Sequence, residues 1–584
     1  MKKIIKFINK ERLLIRIMGV PTLFRELLQN KINYVTRIEK NPEYFFLDFN
    51  SFIYRIHYKF PFSSEKQLIH NVIVELHRLI EEIHPTKMVY IAIDGTAPRA
   101  KMVQQRSRRY KSLQLDRMKQ EYFDHYDLPV SKTWNPSNHI CPGTEFMMNL
   151  NQAILKMLEK NFEWIPSKIF DSCLRPGEGE HKILPHVKRL RLENPNATVV
   201  IFSPDNDIIS LALLTQKSHI KILRYCDGEN DGYIKRMAKL PMDTTMFVFD
   251  IDLLRQSLVD EFPEEDETNI VLDFNFLLAM VGNDFVTSLP FLKIKNGGLQ
   301  ILKKLYAQIK TKHQPQKRYL IDKQTFTVNG PFFKDIIKGL SLMEDTEMKK
   351  LQLFLTKQRT AQHIPAESFD NFYNNLQHAY ICNTNHPLYD EYAGDFDKIN
   401  YNAEKHQWKA QYYEHFLQID SKNFSVYNGK RTKVVQEYLK SLMFTLRYYN
   451  QGCPSWTWHY HYPMPPVFQD VFTVLEKQHF DLNRITFEKG IPFSPYQQLS
   501  LILPPQKFDL LPSSFQHLLK KFAAFYPMDF RIDAVLGLKY IYSEARLPEF
   551  TNFSSFLFEV KTLERKLSKK DAKRNIIMTK VFRL

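Results

Sequence analysis

The chain has 584 residues, of which 44% are hydrophobic and 14% aromatic, and it carries a formal net charge of +17. That length and composition support several domains around a sizeable core and exclude a disordered chain; the positive excess points to a polyanionic partner, either nucleic acid or an anionic membrane surface. Five scattered cysteines (Cys141, Cys173, Cys226, Cys382 and Cys453) form no CxxC pair, which argues against a zinc site or a disulfide framework and for a reducing compartment, and no apolar run approaches a membrane span.

Residues 1–17, MKKIIKFINKERLLIRI, are basic and partly apolar, but Lys6, Lys10, Glu11 and Arg12 interrupt any signal-peptide core. They read as an N-terminal extension, with a domain starting near Met18. Tyr44–Asp48, Met88–Asp94 and Val199–Ser203 are short apolar runs separated by helical patterns. They predict an α/β domain over residues 18–295, a mostly parallel twisted sheet flanked by helices. In such sheets functional groups collect beyond the carboxyl ends of the strands. Asp48 and Asp94 stand there, and Asp205 and Asp207 follow the third strand. Each Asp has an alternative use as a helix cap, but three acidic strand ends at one rim would repel one another unless a cation neutralises them.

Pro176-Gly177-Glu178-Gly179-Glu180-His181 places two glutamates on a flexible turn that opens a helix, and Asp284 ends the apolar helix FNFLLAMVGND, where an acid is electrostatically unfavourable. Asp48, Asp94, Glu178, Glu180, Asp205, Asp207 and Asp284 are all hard oxygen donors without an accompanying thiolate or imidazole cluster, which suits Mg²⁺ or Mn²⁺. After Asp94, the segment Arg99 to Lys111 as a helix places Lys101, Gln105 and Arg108 on one face with Arg109 alongside, a surface able to grip a terminal phosphate. Residues 296–400 read as a polar, irregular connecting region with some helix. Residues 401–560 are rich in Tyr, Trp, Phe and Pro, and residues 561–584 read as a basic tail.

These residues together resemble the XRN-type 5′→3′ exoribonucleases. The likeness is carried by Met18-Gly19-Val20-Pro21, Leu47-Asp48-Phe49-Asn50, the Asp94 to Arg109 run, Pro142 to Met147, Pro176 to His181, Ser203 to Asp207 and Val281 to Phe285, and downstream by Gly452 to Tyr460 and Phe525 to Phe530. The resemblance implies a PIN/FEN-like nuclease core with a largely helical, aromatic-rich second region (401–560) packed on it and completing the active-site pocket. It implies that the seven acids hold two Mg²⁺ or Mn²⁺ ions and carry catalysis, and that Lys101, Gln105, Arg108 and Arg109 bind a 5′-monophosphate. It also implies that Tyr54 and Trp456, with Trp458 as the alternative, stack on the first bases of single-stranded RNA. The sequence departs from the family at Tyr54, where histidine is usual, at Val286-Thr287-Ser288 in place of Leu-Pro-His, and at Asn206 in place of alanine. A compact member without the long C-terminal extensions of the larger relatives is expected. A monomer without membrane association is expected, in the cytoplasm, with the nucleus left open by RSRRYK and the basic tail; the sequence names no protein partner. Two other functions compete with RNA decay: a flap or structure-specific DNA nuclease, and a catalytically silent RNA-binding scaffold.

Overall fold

The computed structural model describes residues 23–584 except 31, 39, 61, 127–133, 135, 227–230, 263–264, 315–317, 360–398, 534–543 and 551. The 1–17 extension, Met18-Gly19-Val20-Pro21 and Cys382 therefore lie outside the described residues.

The described residues form ten strands: β1 (Val35–Thr36), β2 (Tyr44–Asp48), β3 (Met88–Ala92), β4 (Ser167–Asp171), β5 (Val199–Phe202), β6 (Ile220–Tyr225), β7 (Met246–Asp250), β8 (Arg531–Asp533), β9 (Glu544–Arg546) and β10 (Phe582–Arg583). Eight make one sheet in the order β1-β7-β6-β5-β2-β3-β4-β10. The five central strands are parallel, and β1, β7 and β10 add antiparallel pairings toward the edges. Side chains alternate across a strand, so a sheet covered on both faces needs apolar residues at successive positions. The YFFLD run meets that need. Phe45 and Leu47 enter one core with Val89, Ile91 and Phe202, while Phe46 enters the other with Tyr90, Ala92 and Ile201. The fold is α/β with a mostly parallel sheet, as the alternating pattern predicts.

Helices α1 (Phe49–Lys59) and α2 (Glu65–Ile83) cover the first face. The 27-residue α3 (Arg99–His125) leaves the rim, and α4 (Glu145–Lys160) returns to the first face. Helices α5 (Gly179–Glu193) and α6 (Asp207–Leu214) cover the opposite face, followed by α7 (Glu267–Met280). Where the sequence reads as a polar connecting region with some helix, the chain forms α8 (Gly298–Lys310) and the 30-residue α9 (Gly330–Arg359), longer helices than that reading suggested. Phe332, Phe333, Ile336, Ile337 and Leu340 are fully buried on one face of α9, at helical spacing. The polar composition of this stretch belongs to its outer face, which is why it hid the helix.

Further on come α10 (Phe424–Gln451), α11 (Phe468–Lys477), α12 (Pro495–Ile502), α13 (Phe553–Glu564) and α14 (Lys569–Arg574). Nor are the last residues a loose tail. Phe582 pairs with Phe170, and the Leu584 amide donates to the Lys168 carbonyl at 2.9 Å, so β10 covers the open edge of β4.

Arg106 on α3 ties the two regions together. Its guanidinium donates to the Pro548 carbonyl at 2.8 Å and to the Phe525 carbonyl, and it lies 3.6 Å over the Phe525 ring. Replacing it leaves the buried Phe525 carbonyl and the Pro548 carbonyl without this donor and removes the stacked plane. Arg106→Ala should therefore cost about 2–4 kcal/mol of stability, measured by urea or thermal unfolding. A loss below about 0.5 kcal/mol, the range of an ordinary surface change, would show that this side chain does not hold the regions together.

Candidate active site

The strand order reverses around β2, whose neighbours are β5 and β3. That crevice at the carboxyl ends is where open α/β sheets place their ligands. Asp48 ends β2, Asp94 lies two residues beyond β3, and Asp205 lies three beyond β5. The helix-cap alternative fails for Asp48 and Glu178: both occupy cap positions, yet neither side chain makes a cap hydrogen bond. The Asp48 carboxylate instead accepts from Ser203 Oγ at 2.9 Å, and Glu178 accepts from Tyr448 Oη at 2.8 Å. Asp94 accepts from Asn50 Nδ2 at 2.9 Å and from the Gly179 amide at 2.7 Å.

Glycines make this approach sterically feasible. A Cβ at Gly179 would stand 2.7 Å from Asp48 Oδ1, and one at Gly95 would stand 1.7 Å from the Arg175 carbonyl. Gly95 and Gly177 also bond the two rim loops, Gly95 N to Gly177 O at 2.9 Å and Gly177 N to Thr96 O at 2.8 Å. Behind them the buried Lys182 ammonium donates to the carbonyls of Ile93 (2.7 Å) and Ser172 (2.9 Å) and lies 3.4 Å from Asp171. Lys182 thus fastens the ends of β3 and β4 and is a structural cation. Asp171, also at a strand end, is engaged by Tyr90 Oη and Arg175 and stands outside the acidic cluster.

Helix α7 ends at Met280, so Asp284 lies beyond it in a loop and not in its last turn. Lys101 Nζ is 2.5 Å from both Glu178 and Asp284, Gln104 donates to Asp284, and Arg108 is 3.7 Å away. Asp207 opens α6 and is coupled electrostatically to Asp284, Lys101, Asp205 and Glu178. All seven predicted acids therefore converge. Donor atoms of Asp48, Asp94 and Glu180 lie within 4.8 Å of one another, as do those of Glu178, Glu180 and His181.

Burial first, and then mutual repulsion, push Asp48, Asp94 and Glu180 above the usual carboxylate range. Burial also pushes Asp205 up to about 7 and Asp207 up to about 8. Asp284 is the exception: burial raises it, but Lys101 and Arg108 outweigh burial and hold it below its ordinary value. A cluster of hard oxygen donors whose members resist ionisation together is the environment a divalent cation relieves, so the residues present fit a metal centre. His181, pushed down to about 4 by burial, packs against Tyr448 with ring centroids 3.9 Å apart and is a packing residue.

The pocket over these acids is lined by Asp48, Asp94, Glu178, Glu180 and Asp205 on one side, and by Lys101, Gln105, Arg108, Arg109 and Tyr54 on the other. The four predicted basic-face residues therefore share one wall, although Lys101 is engaged with the acids. Gln498 of α12 closes the far side, donating toward Gln105 at 3.4 Å and accepting the Ala97 amide at 2.7 Å. Trp456 is not part of this lining. Its carbonyl accepts the Arg99 amide at 2.9 Å, which anchors it at the start of α3, and its ring has no aromatic partner among the described residues. Trp458 is spent on packing, with Phe444 at 4.8 Å, Phe487 at 5.5 Å and a bond from its indole to Glu437. Sequence reasoning missed Asn50, Ser203, Gln104, Tyr448, Gln498 and Arg224. Arg224 donates to the Asp205 carbonyl at 2.7 Å and to Asn206, steadying the Asp-Asn-Asp loop. Asn50 and Ser203 had a local signal, each being two residues from a named acid; Tyr448 and Gln498 had none.

Residues 18–226 match the family model described as the XRN 5′-3′ exonuclease N-terminus, and residues 264–386 and 356–584 match the one described as the Xrn1 helical domain. The chain belongs to the XRN family. This XRN chain is 26% identical to human 5′-3′ exoribonuclease 1 over 96% of its own length and 35% of that protein. It is 26% identical to 5′-3′ exoribonuclease 2 of Arabidopsis thaliana (86% of this chain, 60% of that protein) and 27% identical to the 5′-3′ exoribonuclease 2 homolog of Drosophila melanogaster (88% and 64%). It thus spans between about a third and two thirds of the length of these relatives. No helix among the described residues is long and apolar enough to cross a membrane.

The raised acids give a signed expectation. A carboxylate whose folded pKa exceeds its unfolded value of about 4 stabilises the fold below that value and loses the contribution as pH rises through the folded pKa. With Asp205 at about 7 and Asp207 at about 8, metal-free XRN protein should lose stability progressively up to about pH 8. Its melting temperature in chelator should be lower at pH 8 than at pH 5.5, with added Mg²⁺ narrowing the gap. A metal-free melting temperature that rises over this interval, or one indifferent to Mg²⁺, would contradict the electrostatics described. Gly179→Ala should weaken that Mg²⁺ stabilisation at least tenfold in midpoint concentration, because its Cβ meets Asp48.

Proposed function

We propose that this chain is a 5′→3′ exoribonuclease that hydrolyses single-stranded RNA bearing a 5′-monophosphate and releases nucleoside 5′-monophosphates. The observation that carries the reading is one pocket that five carboxylates and one basic helix face line, with Asp284 bridged to it through Lys101 and Gln498 of the second region at its far end. The acids would hold two Mg²⁺ or Mn²⁺ ions, which when bound supply Lewis-acid stabilisation of charge on the scissile phosphate.

The protein's own residues do the rest. Gln105, Arg108 and Arg109 bind the terminal phosphate by charge-assisted hydrogen bonds. Lys101 sits at the border between acids and phosphate wall and serves both. A 5′-hydroxyl lacks the charge this wall complements, and a cap or triphosphate exceeds a site closed by Ile140, Cys141, Pro142 and Gln498. Tyr54 in the pocket wall and Trp456 at the start of α3 stack on the first bases, an interaction that every base permits. Each cleavage leaves a new 5′-phosphate, so the strand can advance into the same wall. Cys141, Cys173 and Cys453 form no disulfide among the described residues, in keeping with a reducing compartment such as the cytoplasm.

A 3′-labelled single-stranded RNA with a 5′-monophosphate should be degraded from its 5′ end in Mg²⁺, while the 5′-hydroxyl form survives. Equal internal cutting of both forms would point to an endonuclease, and binding without cutting to a scaffold. Asp207→Asn should lower turnover by at least ~10³-fold, a loss typical of removing a major electrostatic contributor, while RNA binding persists. Arg109→Ala should lower the preference for the monophosphate, seen as a fall in the kcat/KM ratio of the two RNAs.

A further inference from the structure

A second group of ligand-type side chains lies outside the carboxylate centre. His459 and His461 come from the Trp456 segment, and Glu549 comes from the stretch just before α13. Glu549 Oε1 is 3.3 Å from His459 Nε2 and Oε2 is 3.1 Å from His461 Nδ1. The three ligand atoms lie within 4.8 Å of one another, and the two imidazole rings are 4.2 Å apart at their centroids. A tetrahedral ion with bonds of 2.0–2.1 Å holds its ligand atoms about 3.3 Å apart, so these spacings suit an ion as well as a hydrogen bond. Two imidazole nitrogens with one carboxylate oxygen form a borderline donor set that prefers Zn²⁺ to the hard Mg²⁺ expected at the acids.

The site is accessible on one side and fixed on the other. His459 is 3% exposed, and its second nitrogen, Nδ1, is buried without a hydrogen-bond partner. The side chains of His461 and Glu549 are 47% and 46% exposed, so an ion can reach them from solvent. We propose that His459, His461 and Glu549 bind a transition-metal ion of the Zn²⁺ class, which pins the Trp456 segment to the chain entering α13. The consequence would be mechanical. Trp456 lies three residues before His459, and Pro548, beside Glu549, accepts the Arg106 hydrogen bond that holds α3. An ion here braces the aromatic residue and the basic helix against each other. Arg99 acts electrostatically on both His459 and Glu549, and its positive charge weakens the site.

The test uses Co²⁺ as a spectroscopic probe on the full chain with millimolar Mg²⁺ present to occupy the acidic centre. The expected result is one Co²⁺ per chain, with the visible absorption bands of a nitrogen-ligated ion, displaced by Zn²⁺. His461→Ala and Glu549→Gln, both half-exposed positions, should each weaken binding at least tenfold with unchanged circular dichroism. Should His461→Ala unfold, His461→Gln replaces it. The proposal is overturned if the wild-type chain gives no such spectrum, or if the variants bind Co²⁺ as tightly as wild type. It is also overturned if the signal is lost in Asp205→Asn and kept in Glu549→Gln, since the ion then sits among the acids.

Discussion

Seven carboxylates crowded at one rim of a sheet repel one another, and the surrounding structure is organised to bear that repulsion. Lys101 reaches from α3 between Glu178 and Asp284. Ser203, Asn50, the Gly179 amide and Tyr448 each donate to one of the acids. These neighbours are donors or cations, yet burial still pushes Asp205 and Asp207 up to about 7 and about 8. The arrangement costs folding free energy and is consistent with a site shaped for divalent cations rather than for stability.

The second region contributes part of the same site. Tyr448 of α10 reaches Glu178, Gln498 of α12 accepts the Ala97 amide, and the Trp456 carbonyl accepts the Arg99 amide. The last two contacts grip the loop that follows β3 and the start of α3, so the basic wall of the pocket is positioned by residues more than three hundred positions away in sequence. A rim of acids alone would be open to any strand of nucleic acid. Closing the far side of the pocket is what would restrict entry to a free end, and that closure depends on the packing between regions.

The departures from the family pattern have local structural accounts. Asn206 shares Arg224 with the Asp205 carbonyl, so the residue between the two aspartates helps hold their loop. Where Leu-Pro-His is usual, Val286 instead closes a turn, its carbonyl accepting the Asn283 amide at 3.0 Å and its own amide donating to Asn283 Oδ1 at 2.8 Å. Tyr54 lines the pocket in the place where histidine is usual.

The sequence by itself determined three of the five central strands, β2, β3 and β5, and the acids, while β4 and β6 went unread. Tyr44–Asp48 is legible to the residue, and β3 and β5 nearly so, because a strand buried on both faces must be apolar at every position. Acids just past such runs must then share a rim. The helical spacing of Lys101, Gln105 and Arg108 is equally local information. What the sequence concealed depends on partners distant along the chain. β10 exists only because the edge of β4 is free to pair, and α9 was masked by the polar face it turns to solvent. Tyr448, Gln498 and the His459–His461–Glu549 group carry no local signature, since their partners lie 88 to 401 residues away. Only tertiary packing could decide them, because a hydrogen bond or a ligand sphere is set by distance in space, and local patterning carries no record of it.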